Sequence, residues 1–124
     1  MAGRFFDDLA RQGSDHDLLT VITSDHGEGL GEHGEETHGF FIYESTVAVP
    51  LVFHLPGRVA AGESPAAARL VDVAPTVLEL LALPPLAAAG GTAVDGVSLA
   101  AFLAGGSRQL PPVYVETRRP WISY

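Results

Sequence analysis

The residues most able to do chemistry are clustered in Thr23-Ser24-Asp25-His26-Gly27-Glu28-Gly29-Leu30-Gly31-Glu32-His33-Gly34. Asp25 and His26 set a carboxylate and an imidazole side by side, a donor pair suited to a divalent cation with mixed oxygen and nitrogen ligands. Two adjacent side chains cannot fill a coordination sphere, so further ligands have to come from elsewhere. Taken alone, the pair reads first as an ordinary turn at the end of a strand. Gly27, Gly29 and Gly31 let the backbone turn sharply and approach an ion closely. Glu28, Glu32, Glu35 and Glu36 read as exposed loop glutamates rather than acid–base groups.

The surrounding elements must deliver that pair. Leu18 to Thr23 is a short, nearly continuous apolar run rich in β-formers, which predicts a strand covered on both faces, as in a parallel sheet. Asp25 and His26 then fall just past its carboxyl end, where open α/β sheets hold their ligands. Upstream, Phe5, Phe6, Leu9 and Ala10 recur at helical spacing, with Gly13 placed to close the helix. Residues 24–39 form a long Gly-rich loop, and apolar β-type residues resume from Val47 to Leu55. Pro50 makes that second run an edge strand or one that starts at Pro50. Asp72 is placed to cap a helix from Val73 to Leu81, with Pro75 tolerated in its first turn and Pro84-Pro85 ending it. After an exposed connection at 57–68 and a flexible one at 87–91, a short helix at Val97–Leu103 and a last strand at Val113–Thr117 complete the pattern. Helix, strand, loop, strand, helix, strand is α/β, with no internal repeat and no second domain.

Composition narrows the partners. The 124 residues carry seven basic and fifteen acidic side chains, a formal charge of −8, and no Lys. Nucleic-acid binding needs clustered cations, so it is excluded as an expectation. A polyanionic substrate would be repelled over most of this surface unless a bound cation inverts the local field. Without Cys there is no disulfide framework and no thiolate ligand or nucleophile. MAGRFFDDLARQG is too polar for a secretory signal, and no apolar run reaches the roughly 20 residues of a membrane span. A cytoplasmic location is expected if that N-terminus is native. Arg in place of Lys with an Ala, Gly and Pro bias suggests a GC-rich bacterial genome.

The run from Leu18 to Pro56 resembles the sulfatase family of the alkaline-phosphatase-like superfamily. The residues that carry the likeness are Thr23-Ser24-Asp25-His26-Gly27, Leu30-Gly31-Glu32-His33-Gly34, Tyr43-Glu44 and Val49-Pro50-Leu51. It continues through Asp72-Val73-Ala74-Pro75-Thr76, like the family's D-x-x-P-T, and Asp95-Gly96-Val97-Ser98-Leu99, like its D-G-x-S-L. Several ordered blocks over most of the chain are far more specific than any one of them.

The resemblance implies a partial three-layer sandwich with a mostly parallel sheet, residues 1–124 being the C-terminal portion of the catalytic domain. It implies that Asp25 and His26 are metal ligands, for calcium first, with manganese or zinc as alternatives. An imidazole leans toward the transition metals. His38 falls near the position where many sulfatases place a Lys or His against the sulfate or leaving oxygen; ligation of a second metal, or a loop histidine bonded to a carbonyl, are the alternatives. His33 reads as a brace for the Gly-rich loop, His16 as a solvated turn, and His54 as a core or edge histidine. The family's nucleophile motif, C/S-x-P-x-R, has no counterpart; Ser64-Pro65 differs in spacing and order. Ala48 stands where relatives commonly carry a basic residue before V-P. The expected activity is therefore metal-dependent hydrolysis of small sulfate esters, with phosphodiester or phosphonate monoester hydrolysis, or a non-catalytic metal-binding or assembly module, as alternatives. A chain lacking the nucleophile-bearing half should expose sheet edges and apolar surface. It is expected to form a homo-oligomer or to associate with that half.

Overall fold

The computed structural model describes residues 2–13, 17–34, 36–38, 41–86, 94–107 and 109–116. The turn expected around His16, as well as Glu35, Gly39, the connector at 87–91 and Thr117, lie outside the described residues. The elements run α1 (Ala2–Arg11), β1 (Thr20–Ile22), a 3-10 turn (Glu32–Gly34), α2 (Glu44–Val47), β2 (Val52–His54), a 3-10 turn (Leu70–Asp72), α3 (Val73–Leu80) and α4 (Ala100–Leu103).

The apolar spacing of α1 leaves Phe6 and Leu9 half-buried. The Phe6 ring meets His54 of β2 edge-on, 5.3 Å between centroids, which docks the helix on the strands and makes His54 an edge histidine. Gly13 closes α1 at φ 66°, the left-handed conformation that favours glycine after a helix.

β1 and β2 pair antiparallel, with Thr20 opposite His54, Val21 opposite Phe53 and Ile22 opposite Val52. The parallel sheet expected from the apolar run is thus not what the described residues form. The reason is the path of the connection. It folds back beside the end of β1, where the Gly27 amide donates to the Thr46 carbonyl at 2.9 Å, so the chain re-enters the pair from the end it left. A parallel partner would require a crossover carrying the chain back along the whole strand. Cover is also thinner than expected, because Val21 is only half-buried and Ile22 is exposed.

The core lies between the strands and the C-terminal helices. Leu55, Leu80 and Ala100 form the buried cluster, Leu19, Phe53, Val59 and Leu103 pack around it, and Leu99 is buried as well. The Ala60 amide donates to the Leu103 carbonyl at 2.8 Å, tying the turn after β2 to α4. Arg58 Nη1 donates to the Leu80 carbonyl at 2.6 Å. A guanidinium at the C-terminal end of α3 satisfies a free carbonyl and complements the helix dipole. Arg58→Ala is expected to lower unfolding stability by about 1 kcal/mol, read as a shift in urea midpoint.

A buried polar latch holds the C-terminal segment. Asp72 is 1% exposed. Its carboxylate accepts from Arg69 Nη2 at 2.7 Å, Arg69 Nε at 3.1 Å, the Arg69 amide at 3.1 Å and the Val97 amide at 2.9 Å. Thr76, fully buried, donates to the Asp72 carbonyl and accepts from the Leu99 amide at 2.9 Å. Asp72 therefore does not cap α3 with its side chain, as the sequence suggested; it joins α3 to residues 95–99. A Cβ on Gly96 would stand 2.0 Å from the Val71 carbonyl oxygen, so only glycine fits there. The blocks D-x-x-P-T and D-G-x-S-L are two halves of one contact.

α3 ends one residue before the expected boundary, and the expected helix at 97–103 narrows to Ala100–Leu103. Residues 113–116 are extended in composition but form no strand. Val113, Tyr114 and Val115 are exposed, and β-forming residues become a strand only when a partner edge is present. Phe41, Ile42, Val52, Leu70 and Val71 are exposed as well. That is a large apolar surface for a core of this size. No described helix is long and apolar enough to cross a membrane.

Candidate metal and ester site

β1 delivers Asp25 and His26 at the open end of the strand pair, and local hydrogen bonds fix both. The His26 amide donates to Asp25 Oδ1 at 3.0 Å. The Ser24 hydroxyl donates to the His26 carbonyl at 2.8 Å, drawing the turn tight. The His26 amide, and then the amide of Asp25 itself, hold the Asp25 carboxyl below the usual carboxylate range, so it is an anion at neutral pH. His26 Nδ1 lies 2.8 Å from the Gly27 carbonyl oxygen. A carbonyl can only accept, so Nδ1 carries the proton and Nε2 of the neutral ring keeps its lone pair. This is the tautomer that metal-binding histidines use, with the second nitrogen tied to a carbonyl.

Asp25 Oδ2 and His26 Nε2 are 3.6 Å apart. An ion at the roughly 2.0–2.5 Å distances of nitrogen and oxygen ligands can touch both across that gap. The carboxylate–imidazole pair therefore fits a divalent cation in chemistry and spacing. Among the described residues no third His, Asp or Glu joins it in a cluster able to hold an ion. The Asp25 side chain is 85% exposed, so the pair is one open face of a coordination sphere.

Gly27 is required by close approach. A Cβ there would stand 2.0 Å from the Ser45 carbonyl oxygen on α2, and that backbone cannot move aside without breaking the turn. Gly27→Ala is expected to cost about 1–3 kcal/mol and to weaken divalent-cation binding by displacing the two residues before it. Thermal unfolding and calorimetric titration of the same preparation check both effects.

The structure brings His38 to the pair. Its ring stacks on His26, 3.7 Å between centroids at 27°. Across the loop the Gly29 amide donates to the Thr37 carbonyl at 3.0 Å, bringing the neighbouring residues 28 and 38 together. Glu28, read from sequence as a solvated loop glutamate, holds His38 Nδ1 at 3.2 Å and 3.3 Å from its two carboxylate oxygens. No local signal in the sequence predicts a partner ten residues away. His33 stands apart, at φ 57°, with its ring stacked on Tyr43 at 4.3 Å. Tyr43 in turn accepts a hydrogen bond from Thr46 of α2 at its carbonyl, so the G-E-H and Y-E blocks meet.

An open trough of about 1600 Å³ runs away from Asp25, lined by Glu44, Val52, Phe53, Leu70 and Val113 among others. Of the described residues that line it, Arg69 alone is basic, and its guanidinium is taken by Asp72.

The sulfatase family profile matches residues 1–83. This chain belongs to the sulfatase family. Mouse arylsulfatase K is 35% identical over 106 residues, covering 84% of this sulfatase chain and 18% of that protein. A multifunctional alkaline phosphatase superfamily protein of Trinickia caryophylli is 38% identical over 110 residues, 84% of this chain and 20% of that one. Among solved structures, a phosphonate monoester hydrolase of Silicibacter pomeroyi superposes with a TM-score of 0.68 at 32% identity, covering 86% of this chain and 20% of that one. The sulfatase chain thus adopts part of the alkaline-phosphatase-like fold and spans about a fifth of the length of these relatives.

Proposed function

We propose that this chain supplies one face of the metal site of a sulfate-ester hydrolase, completed by a nucleophile-bearing segment that its 124 residues do not contain. The observation that carries the reading is the 3.6 Å approach of Asp25 Oδ2 to His26 Nε2, with the His26 tautomer fixed by Gly27. Asp25 and His26 would hold the cation, calcium in the first instance. When bound, such an ion neutralises oxyanion charge and activates a nucleophile. The electrostatics support this: in a chain of net charge −8 whose trough offers no uncommitted basic side chain among the described residues, an anionic ester needs a bound cation.

His38 contributes beside the pair. With Nδ1 engaged by Glu28, its Nε2 is the nitrogen left to face the ester, an acceptor in the neutral ring and, in the imidazolium, a donor to the leaving oxygen that would stabilise developing charge. His33, stacked on Tyr43, braces the loop away from the reacting atoms. Residues 1–124 form one portion of the catalytic domain, and the exposed apolar surface suits association with the rest of it or with a second copy.

The likeness to a phosphonate monoester hydrolase favours one alternative, a phosphonate or phosphodiester substrate at the same site. Both readings are tested by combining the chain with a nucleophile-bearing half of a relative and assaying p-nitrophenyl sulfate and p-nitrophenyl phenylphosphonate with calcium or manganese. Hydrolysis of the sulfate that needs both polypeptides is the expected result. Preference for the phosphonate favours the alternative, and no turnover of either in any combination overturns the hydrolase reading.

A further inference from the structure

We infer that Glu28 is a positioning residue for His38, fixing its tautomer and ring orientation beside the Asp25–His26 pair. The inference deepens the proposed function and rests on it for the role of His38, though the juxtaposition itself does not. Three observations carry it. Glu28 places both carboxylate oxygens within 3.3 Å of His38 Nδ1. The Gly29 amide bond to the Thr37 carbonyl closes the loop between them, so the contact is built by backbone. His38 also stacks on His26, so turning its ring would disturb the metal-facing histidine.

The physical need is clear from exposure. The His38 side chain is 44% exposed, too open for packing alone to choose an orientation. The ring torsion of histidine is broad and roughly two-fold, and its tautomer follows whatever hydrogen bond one nitrogen makes. A carboxylate can only accept, so it binds the nitrogen that carries a proton. Glu28 thereby leaves Nε2 as the nitrogen a substrate meets. His26 receives the same treatment from the Gly27 carbonyl, so both imidazoles are tied through Nδ1 and offer Nε2.

Nitrogen NMR of the uniformly nitrogen-labelled chain, in wild type, Glu28→Leu and Glu28→Gln, tests this without activity. Glu28→Leu is expected to move the His38 ring nitrogens toward a mixture of tautomers. Glu28→Gln, whose amide oxygen still accepts, should restore much of the wild-type pattern. Unchanged Val97 and Leu99 amide signals, which report the Asp72–Thr76 latch, show that the fold is intact. In the complete enzyme Glu28→Leu should lower kcat by about 10- to 100-fold while KM changes by less than about twofold, with partial recovery in Glu28→Gln. His38 nitrogen shifts identical in Glu28→Leu and wild type would overturn the inference. Altered shifts with unchanged kcat would uphold the positioning and instead remove His38 from the proposed chemistry.

Discussion

Asp72→Ala is expected to destabilise the chain by about 3–5 kcal/mol, enough to leave a large fraction unfolded near 37 °C. The carboxylate is almost wholly shielded and accepts four hydrogen bonds, two from the Arg69 guanidinium and two from backbone amides. Truncation strands the Val97 amide and leaves Arg69 without the partner that balances it, and stranded buried donors cost more than the bonds contributed. Only four apolar side chains are buried in the described residues, so there is little other stability to absorb the loss. Asp72→Asn keeps the shape and an acceptor for Val97 but turns an amide toward Arg69; its loss should be about half as large. Acid should discriminate further. Burial alone would push the Asp72 carboxyl up; the Arg69 guanidinium and the Val97 and Arg69 amides outweigh it and hold it below the usual carboxylate range. A depressed folded pKa contributes stability that is complete above the unfolded value, about 4, and is lost as the pH falls through the folded one. Wild type should therefore lose more urea midpoint than Asp72→Asn between pH 7 and pH 3. Equal losses would mean that Asp72 is not the group that titrates.

Elements set by local spacing were legible in the sequence. The stripe of Phe6 and Leu9 gives α1, and Pro75 early and Pro84 late bracket α3 nearly to the residue. Elements set by distant partners were not. An apolar run such as Leu18–Thr23 does not say which way its neighbour runs; the return of the loop at Gly27–Thr46 decides that β2 is antiparallel. Asp72 looks like a helix cap because its local setting is that of one, while its partner Val97 lies 25 residues downstream. The candidate site shows the same division. Asp25 and His26 could be paired from adjacency, while the stacking of His38 on His26 is fixed by the path of the loop. Glu28 carries no local mark of its role, since loop glutamates are usually solvated, and the Gly29–Thr37 bond is what brings it to His38.

Asp25→Ala is expected to weaken divalent-cation binding by on the order of 100-fold or more, with ester hydrolysis by the complete enzyme falling at least as far. Altering a group that merely orients a metal ligand costs about 10- to 100-fold, and a direct carboxylate ligand must count for no less. The loss should come from coordination rather than folding, because the Asp25 side chain is exposed and its hydrogen bonds among the described residues are to its neighbours Ser24 and His26. Thermal unfolding of the metal-free variant should accordingly match wild type. His26→Asn provides the complementary measurement. Exchanging an imidazole nitrogen for an amide oxygen makes the site harder, which should lower manganese or zinc affinity more than calcium affinity. Calorimetric titration of both variants with each ion resolves the roles. If Asp25→Ala binds as tightly as wild type, the ion sits elsewhere, and the 3.6 Å approach of Asp25 to His26 serves only to shape the loop. If His26→Asn weakens every ion equally, His26 acts by holding the turn through Gly27 rather than by presenting Nε2.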